Sequence, residues 1–239
     1  MNVVAPFCAP SFSPHGNWGF VPDGDVQQAL RTAFRLWGLP ARLRVDNGKP
    51  WGSWSDLPPQ LALWLIGLGI DMIWNPAKQP QKNGVVERSQ GTGKRWAEPR
   101  CCATCEALQE RFTDLDRLQR EEYPNLRGRS RWEIYPELRH SGRRYSLSWE
   151  RQHWALGRVW AHLSEYVVPR RVDGGGKISV YNRNHYVGIL HRGKTIYVMF
   201  DPECQEWLVT DVEGKELRRR PAPEMTRERI VSLQVLGRK

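Results

Sequence analysis

Apolar residues recur at three- and four-residue spacing at Val26, Ala29, Leu30, Ala33, Phe34 and Trp37. That spacing places them on one face of an α-helix. Asp23 or Asp25 can cap the helix, and Gly38 followed by Pro40 stops it. Residues 42–45 predict a short strand that ends at Asp46, because Asn47-Gly48 is turn chemistry. Residues 57–68 are apolar nearly all round and predict a buried helix, which Gly69 ends. Residues 70–74 predict a second short strand. Pro76 and Pro80 keep the loop at 75–82 out of regular structure. A third helix is expected from Asn83, its cap, with Glu87 in the first or second turn. A fourth spans 104–123, with a stripe of Leu108, Phe112, Leu115 and Leu118, Thr104 as its cap and Pro124 as its stop. Helix, strand, helix, strand, helix is an α/β layer pattern.

The pattern changes in the second half. Residues 126–148 are polar and basic with little periodicity and read as a linker; 149–166 read as partly helical. Short β-rich runs then follow at 167–172, 177–181, 185–190, 195–200, 207–211 and 216–220. Turn residues separate them, among them Gly174-Gly175-Gly176, Asn182-Arg183-Asn184, Arg192-Gly193, Asp201-Pro202 and Glu213-Gly214. Short strands at such spacing describe a small all-β barrel. The expected organisation is a partial α/β core over 1–125, a basic and partly helical linker over 126–166, a barrel over 167–222 and a basic tail over 223–239. Residues 1–24 read as irregular, with 2–7 a possible strand remnant.

Charge sharpens this division. The chain of 239 residues carries a net charge of +10, of which residues 127–239 hold +9. An anionic partner for the second half, most simply nucleic acid, is one reading; a solvated basic surface is the other. No apolar run approaches the roughly 20 residues that span a bilayer, so no membrane role is expected. The first basic residue is Arg31, and Pro and Gly break the apolar residues before it, so the N-terminus does not read as a signal peptide. The twelve tryptophans argue against wholesale disorder. Cys8, Cys101, Cys102, Cys105 and Cys204 form no disulfide framework. Cys102–Cys105 is a CxxC without the second Cys/His pair that zinc needs, so reduced thiols in a cytoplasmic protein are expected.

Asp46 at a strand end and Glu87 on a nearby helix can converge at a sheet edge. Hard cations take carboxylate oxygens together with phosphate and water, and such a pair of ions can drive phosphodiester chemistry. A helix cap or a surface ion pair is the plainer role for either residue.

The residues around them narrow the choice. Asp46-Asn47-Gly48, then Asn75-Pro76, Pro80-Gln81 and Asn83-Gly84-Val85-Val86-Glu87-Arg88, closely resemble the catalytic core of the DDE transposase and integrase superfamily, in particular bacterial insertion-sequence transposases. The likeness covers 26–88 well. It extends more loosely to Tyr123 and to the terminal barrel, which is similar to the C-terminal domain of Mu-type transposases. The resemblance implies an RNase H-like core and metal-dependent DNA cleavage and strand transfer during transposition. It implies two Mg²⁺ (or Mn²⁺) ions, and a homo-oligomer acting on element ends and target DNA at the nucleoid. It makes Asp46 the second acidic residue of the triad and Glu87 the third. Forty residues lie between them, a somewhat wide spacing for which 51–58 supplies a plausible insertion. Lys78 and Lys82 become candidate phosphate contacts, and so does Arg88, for which a solvated or ion-paired arginine is the other reading.

The chain departs from the family at the first catalytic aspartate. Only Asp23 and Asp25 precede Asp46, and they match a helix cap rather than a strand residue. The expectation is a truncated core, weakly active or inactive by itself. The alternative is a non-catalytic DNA-binding remnant that uses its basic C-terminal barrel. Candidate backbone contacts there are Arg143, Arg144, Arg170, Arg171, Arg183, Arg192, Lys194, Arg218, Arg219 and Arg220. Trp207, Tyr181, Tyr186 and Tyr197 read as barrel core rather than base-stacking platforms.

Overall fold

The structure is a computed structural model and describes residues 22–52, 56–76, 84–124 and 128–237. It is mixed α/β, with helices and several antiparallel sheets. By contacts the chain divides into two compact units. One comprises Met1–Asp46 and Ile73–Glu150; the other comprises Asn47–Met72 and Arg151–Lys239.

The first unit opens with α1 (Asp23–Trp37), which buries Val26, Gln27, Leu30, Ala33 and Phe34. The expected aspartate cap is not used. Pro22 occupies the cap position, and Asp23 and Asp25 lie in the first turn, where carboxylates complement the helix dipole. Gly38 ends the helix at φ 75°. β1 (Arg42–Val45) alternates, with Leu43 and Val45 buried and Arg42 and Arg44 exposed. It pairs with β2 (Asp71–Trp74) in a two-stranded sheet.

α3 (Gly84–Ala97) and α4 (Cys105–Glu121) pack together. Thr104 caps α4 as its sequence predicts, accepting the Ala107 N–H at 3.2 Å. The α4 stripe is only half-buried. The region expected as a linker carries α5 (Arg131–Ile134), started by a capping box. Glu133 Oε2 accepts the Ser130 N–H at 2.6 Å, and Ser130 Oγ accepts the Glu133 N–H at 3.2 Å. The Arg120 guanidinium stacks over Trp37 and Trp132, 4.8 and 5.8 Å from the ring centres, and so joins α4 to α1 and α5.

At the C-terminal end of this unit, α6 (Leu147–His153) buries Glu150. Arg31 clamps that carboxylate from α1 through Nη2 at 2.6 Å and Nε at 3.2 Å. The Tyr145 hydroxyl donates to it as well. Burial, reinforced by the Glu150 carboxylate, pushes the Tyr145 phenol far above its ordinary range. Together these contacts satisfy a buried acid that would otherwise be costly.

The second unit is built around α2 (Gln60–Gly67), where Leu61 to Gly67 are all buried. α7 (Leu156–Ser164) and α8 (Arg227–Val231) pack on it. Trp154 donates its indole N–H to Trp64 O at 2.9 Å, and Ala155 N–H reaches Gly67 O at 3.0 Å. Arg158 donates to Gly67 O at 3.1 Å, and Tyr181 OH to Pro58 O at 2.8 Å.

The strands follow: β3 (Val167–Arg171), β4 (Lys177–Val180), β5 (Arg183–Tyr186), β6 (Thr195–Asp201), β7 (Glu206–Thr210) and β8 (Glu216–Pro221). β3, β6, β7 and β8 form one antiparallel sheet in that order, and β4–β5 form a separate hairpin. The strand predictions match closely except for β5, which starts two residues earlier than expected and stops at Tyr186. The segment expected as a basic tail holds α8 and buries Met225, Ile230 and Val235. No helix among the described residues is long and apolar enough to cross a membrane.

Candidate functional site

β1 delivers Asp46 to its C-terminal end, where the carboxylate-bearing residue is exposed. Asn75, immediately after β2, donates its backbone N–H to Val45 O at 2.9 Å. The C-terminal ends of both strands therefore meet, with Asp46 and Asn75 each one step beyond. Ligand sites in open α/β sheets collect at this kind of edge. Asn75 is 8% exposed, an amide held at the strand end rather than in a free loop. Glu87 lies in the first turn of α3 and is exposed; the helix dipole favours a carboxylate there whatever its further role. Arg88 beside it is exposed too. Lys78, Lys82 and the expected cap Asn83 lie outside the described residues.

The oxygen donors of Asp46 and Glu87 suit Mg²⁺ or Mn²⁺ in kind. In number they fall short of a two-ion centre. Among the described residues no group of three His, Cys, Asp or Glu side chains is gathered so that it could hold a metal. Cys101, Cys102, Cys105 and Cys204 are free thiols.

The basic candidates separate into two sets. In the first unit, Arg143 is occupied: its guanidinium donates to Pro40 O at 2.8 Å, and its carbonyl accepts from Leu39 N–H at 2.8 Å. Arg144 is exposed.

In the second unit, strand pairing splits the Arg218-Arg219-Arg220 run. Arg218 lies opposite Val209, and Arg220 opposite Trp207, so both share the face that carries the core. Arg219 lies opposite Leu208 on the other face. There it pairs with Asp201 at 2.6 Å and Glu216 at 3.2 Å. The hydrogen bond from Arg219 holds the Asp201 carboxyl below its ordinary range.

Several of these arginines fasten the sheet to the hairpin. Arg170, on edge strand β3, donates to Ser179 O of β4 at 3.1 Å. Arg220, on edge strand β8, donates to Tyr186 O of β5 at 2.7 Å. Both sheet edges are thus tied to β4–β5 by guanidinium groups. Arg183 lies 3.6 Å from the fully buried Glu224 carboxylate, whose other oxygen accepts the Trp207 indole N–H at 2.6 Å. Glu150 and Glu224 are the buried acids that sequence reasoning missed. Glu150 follows Trp149 in an aromatic-rich stretch, and Glu224 sits among prolines beside Met225; an acid among apolar neighbours was the available signal.

Arg218 is exposed despite its position opposite Val209, and so are Arg171, Arg192 and Lys194, which the backbone brings together. Val172 N–H donates to Lys194 O and Gly193 N–H to Val172 O, each at 3.0 Å. Of the aromatic residues, Trp207 and Tyr181 are core at 1% and 3% exposure, whereas Tyr186 is 45% exposed. A comparison of the chain with models of known protein families matches none of them.

Proposed function

We propose that this chain is a DNA-binding protein of the DDE transposase and integrase type, a polynucleotidyl transferase core or the remnant of one. The observation that carries this reading is the meeting of two strand ends at Asp46 and Asn75, followed in sequence by a helix with Glu87 in its first turn. On this reading the α/β elements are part of an RNase H-like core, and the β3–β8 region is a Mu-type C-terminal domain. Asp46 and Glu87 would hold divalent cations, which when bound activate the attacking oxygen and stabilise the leaving one. The chain's own residues orient and bind: Arg88 and the loop lysines Lys78 and Lys82 against phosphate, with Arg171, Arg192 and Lys194 gripping DNA in the second unit.

Two carboxylates hold a pair of ions poorly, so the chain by itself is expected to bind DNA but to cleave it weakly or not at all. A second reading, a DNA-binding remnant without catalysis, is favoured by the exposed Arg171–Arg192–Lys194 group. On either reading the protein works at the nucleoid, and transposition would require a homo-oligomer on paired DNA ends.

The test is fluorescence anisotropy on duplex DNA across a salt series, run beside Mg²⁺-dependent plasmid nicking by wild type and Glu87→Gln. The expected result is binding that weakens steeply with salt, with little nicking. A salt slope near zero would refute DNA binding. Strong nicking that Glu87→Gln abolishes would refute the impaired-core and remnant readings and leave an active transferase.

A further inference from the structure

Between β5 and β6 the chain makes a tight 3-10 turn, Ile189–His191. Leu190 at this turn is 85% exposed and Ile189 is 59% exposed, and both belong to the unit that carries the exposed cations. A single exposed leucine needs no explanation. Two adjacent large apolar residues on a hydrogen-bonded turn that leads directly into Arg192 and Lys194 are a different matter.

The rigidity is visible in the hydrogen bonds. His191 N–H donates to Gly188 O at 3.2 Å, Arg192 N–H to Ile189 O at 3.1 Å, and Lys194 N–H to His191 O at 3.0 Å. The turn is also pinned from beside. Val187 and Gly188 N–H both donate to Gly176 O, at 2.9 and 3.1 Å. Gly176 has φ +74°, and a Cβ there would come within 2.7 Å of Ile189 N and 2.9 Å of Ile189 Cα. Only glycine lets the two loops close on each other. Around this tip stand Arg192 and Lys194, which follow it directly, and Arg171, whose neighbour Val172 is bonded to Lys194 and Gly193.

We infer that the Ile189–Leu190 tip is an apolar wedge that enters a groove of duplex DNA and presses into a base step, while Arg171, Arg192 and Lys194 hold the flanking phosphates. This rests on the DNA-binding reading above and adds to it a deformation of the duplex. Apolar side chains inserted at a base step unstack it and kink the helix, and the cost must be met by contacts that need no ordering of their own. A tip locked by its own turn and by Gly176 supplies such contacts. A lipid surface would also accept leucine beside cations. DNA is favoured because the tip lies in the unit whose exposed cations the DNA-binding reading already assigns to phosphate, and the vesicle arm of the test separates the two.

The test uses the full chain and a short duplex carrying a donor and acceptor at its ends, with 2-aminopurine at central steps. Wild type should shorten the end-to-end distance and raise the 2-aminopurine signal. Leu190→Ala should lose both, weaken binding roughly tenfold through lost apolar burial, and leave the salt slope unchanged. Arg192→Ala with Lys194→Ala should reduce the magnitude of that slope by about 2. Val212→Ala, at another exposed apolar position (72% exposed), should change nothing. Salt-dependent binding with bending and affinity unaltered in Leu190→Ala would overturn the wedge while leaving DNA binding intact. Absence of binding at low salt would overturn the DNA reading itself. Leu190-dependent binding to vesicles of phosphatidylserine and phosphatidylcholine in equal parts, without duplex bending, would assign the tip to lipid and also overturn the proposal.

Discussion

Gly67→Ala tests whether α2 is a structural part of the C-terminal unit. Alanine normally stabilises a helix relative to glycine by about 0.5–1 kcal/mol. At position 67 the added Cβ falls inside the Trp154 indole, against Cε2, Nε1 and Cζ2. Trp154 is 3% exposed and donates its indole N–H to Trp64 O at 2.9 Å, so pushing the ring aside breaks that bond. Overpacking of this kind costs about 1–3 kcal/mol, and a lost hydrogen bond about 1 kcal/mol. Less the helical gain, the net loss is about 2 kcal/mol, or a drop of about 1 M in the urea midpoint at an ordinary m-value. Far-UV circular dichroism across a urea series reads it. Gly157→Ala, with nothing within 4 Å of its Cβ, should instead hold or raise the midpoint. In a Trp154→Leu background the cost of Gly67→Ala should shrink, because the ring it strikes is gone. An unchanged midpoint in Gly67→Ala, or a cost unaffected by Trp154→Leu, would refute the packing of α2 against Trp154.

Glu224→Ala removes the acceptor of a buried indole N–H and the partner of Arg183. It should cost about 2–4 kcal/mol in chemical denaturation, and a loss under 0.5 kcal/mol would show the carboxylate to be dispensable. Acid should weaken the second unit before carboxylates titrate. Burial pulls His185 below its ordinary value, opposed by Glu224 and reinforced by Arg220 and Arg183. Burial also pulls His162 down, opposed by Glu165. Both are held neutral by the fold, so their contribution is present above the unfolded value of 6.5 and is lost as pH falls through the lower folded values. Urea midpoints at pH 7.5 and 5 should therefore differ, and His162→Asn with His185→Asn should flatten the difference; an equal slope in the double variant would sink the argument.

Much of the local structure was legible in the residue pattern. The i, i+3, i+4 spacing of Val26, Leu30, Ala33 and Phe34 gave α1, and the Thr104 cap gave the start of α4. Alternation and turn residues gave most of β3–β8. These are short-range properties: a face or a cap is written into neighbouring positions. The candidate carboxylate Asp46 was legible for the same reason, since a strand followed by Asn-Gly must end there.

What surrounds each face is a long-range matter, and only the tertiary structure decided it. The apolar run of α2 announces burial but not its partners, and contacts with Trp154, α7 and α8 place it in the second unit. The triple arginine at 218–220 reads as one basic patch, yet strand pleating sends its members to opposite faces and ties Arg219 to Asp201. Glu150 and Glu224 look like surface acids until Arg31, Tyr145 and Trp207 close over them. Leu190 reads as the end of a strand over 185–190, but the strand stops at Tyr186 and the tight turn after Gly188 leaves Leu190 exposed. Sequence fixes which side chains share a face; tertiary contacts fix whether that face meets protein or solvent.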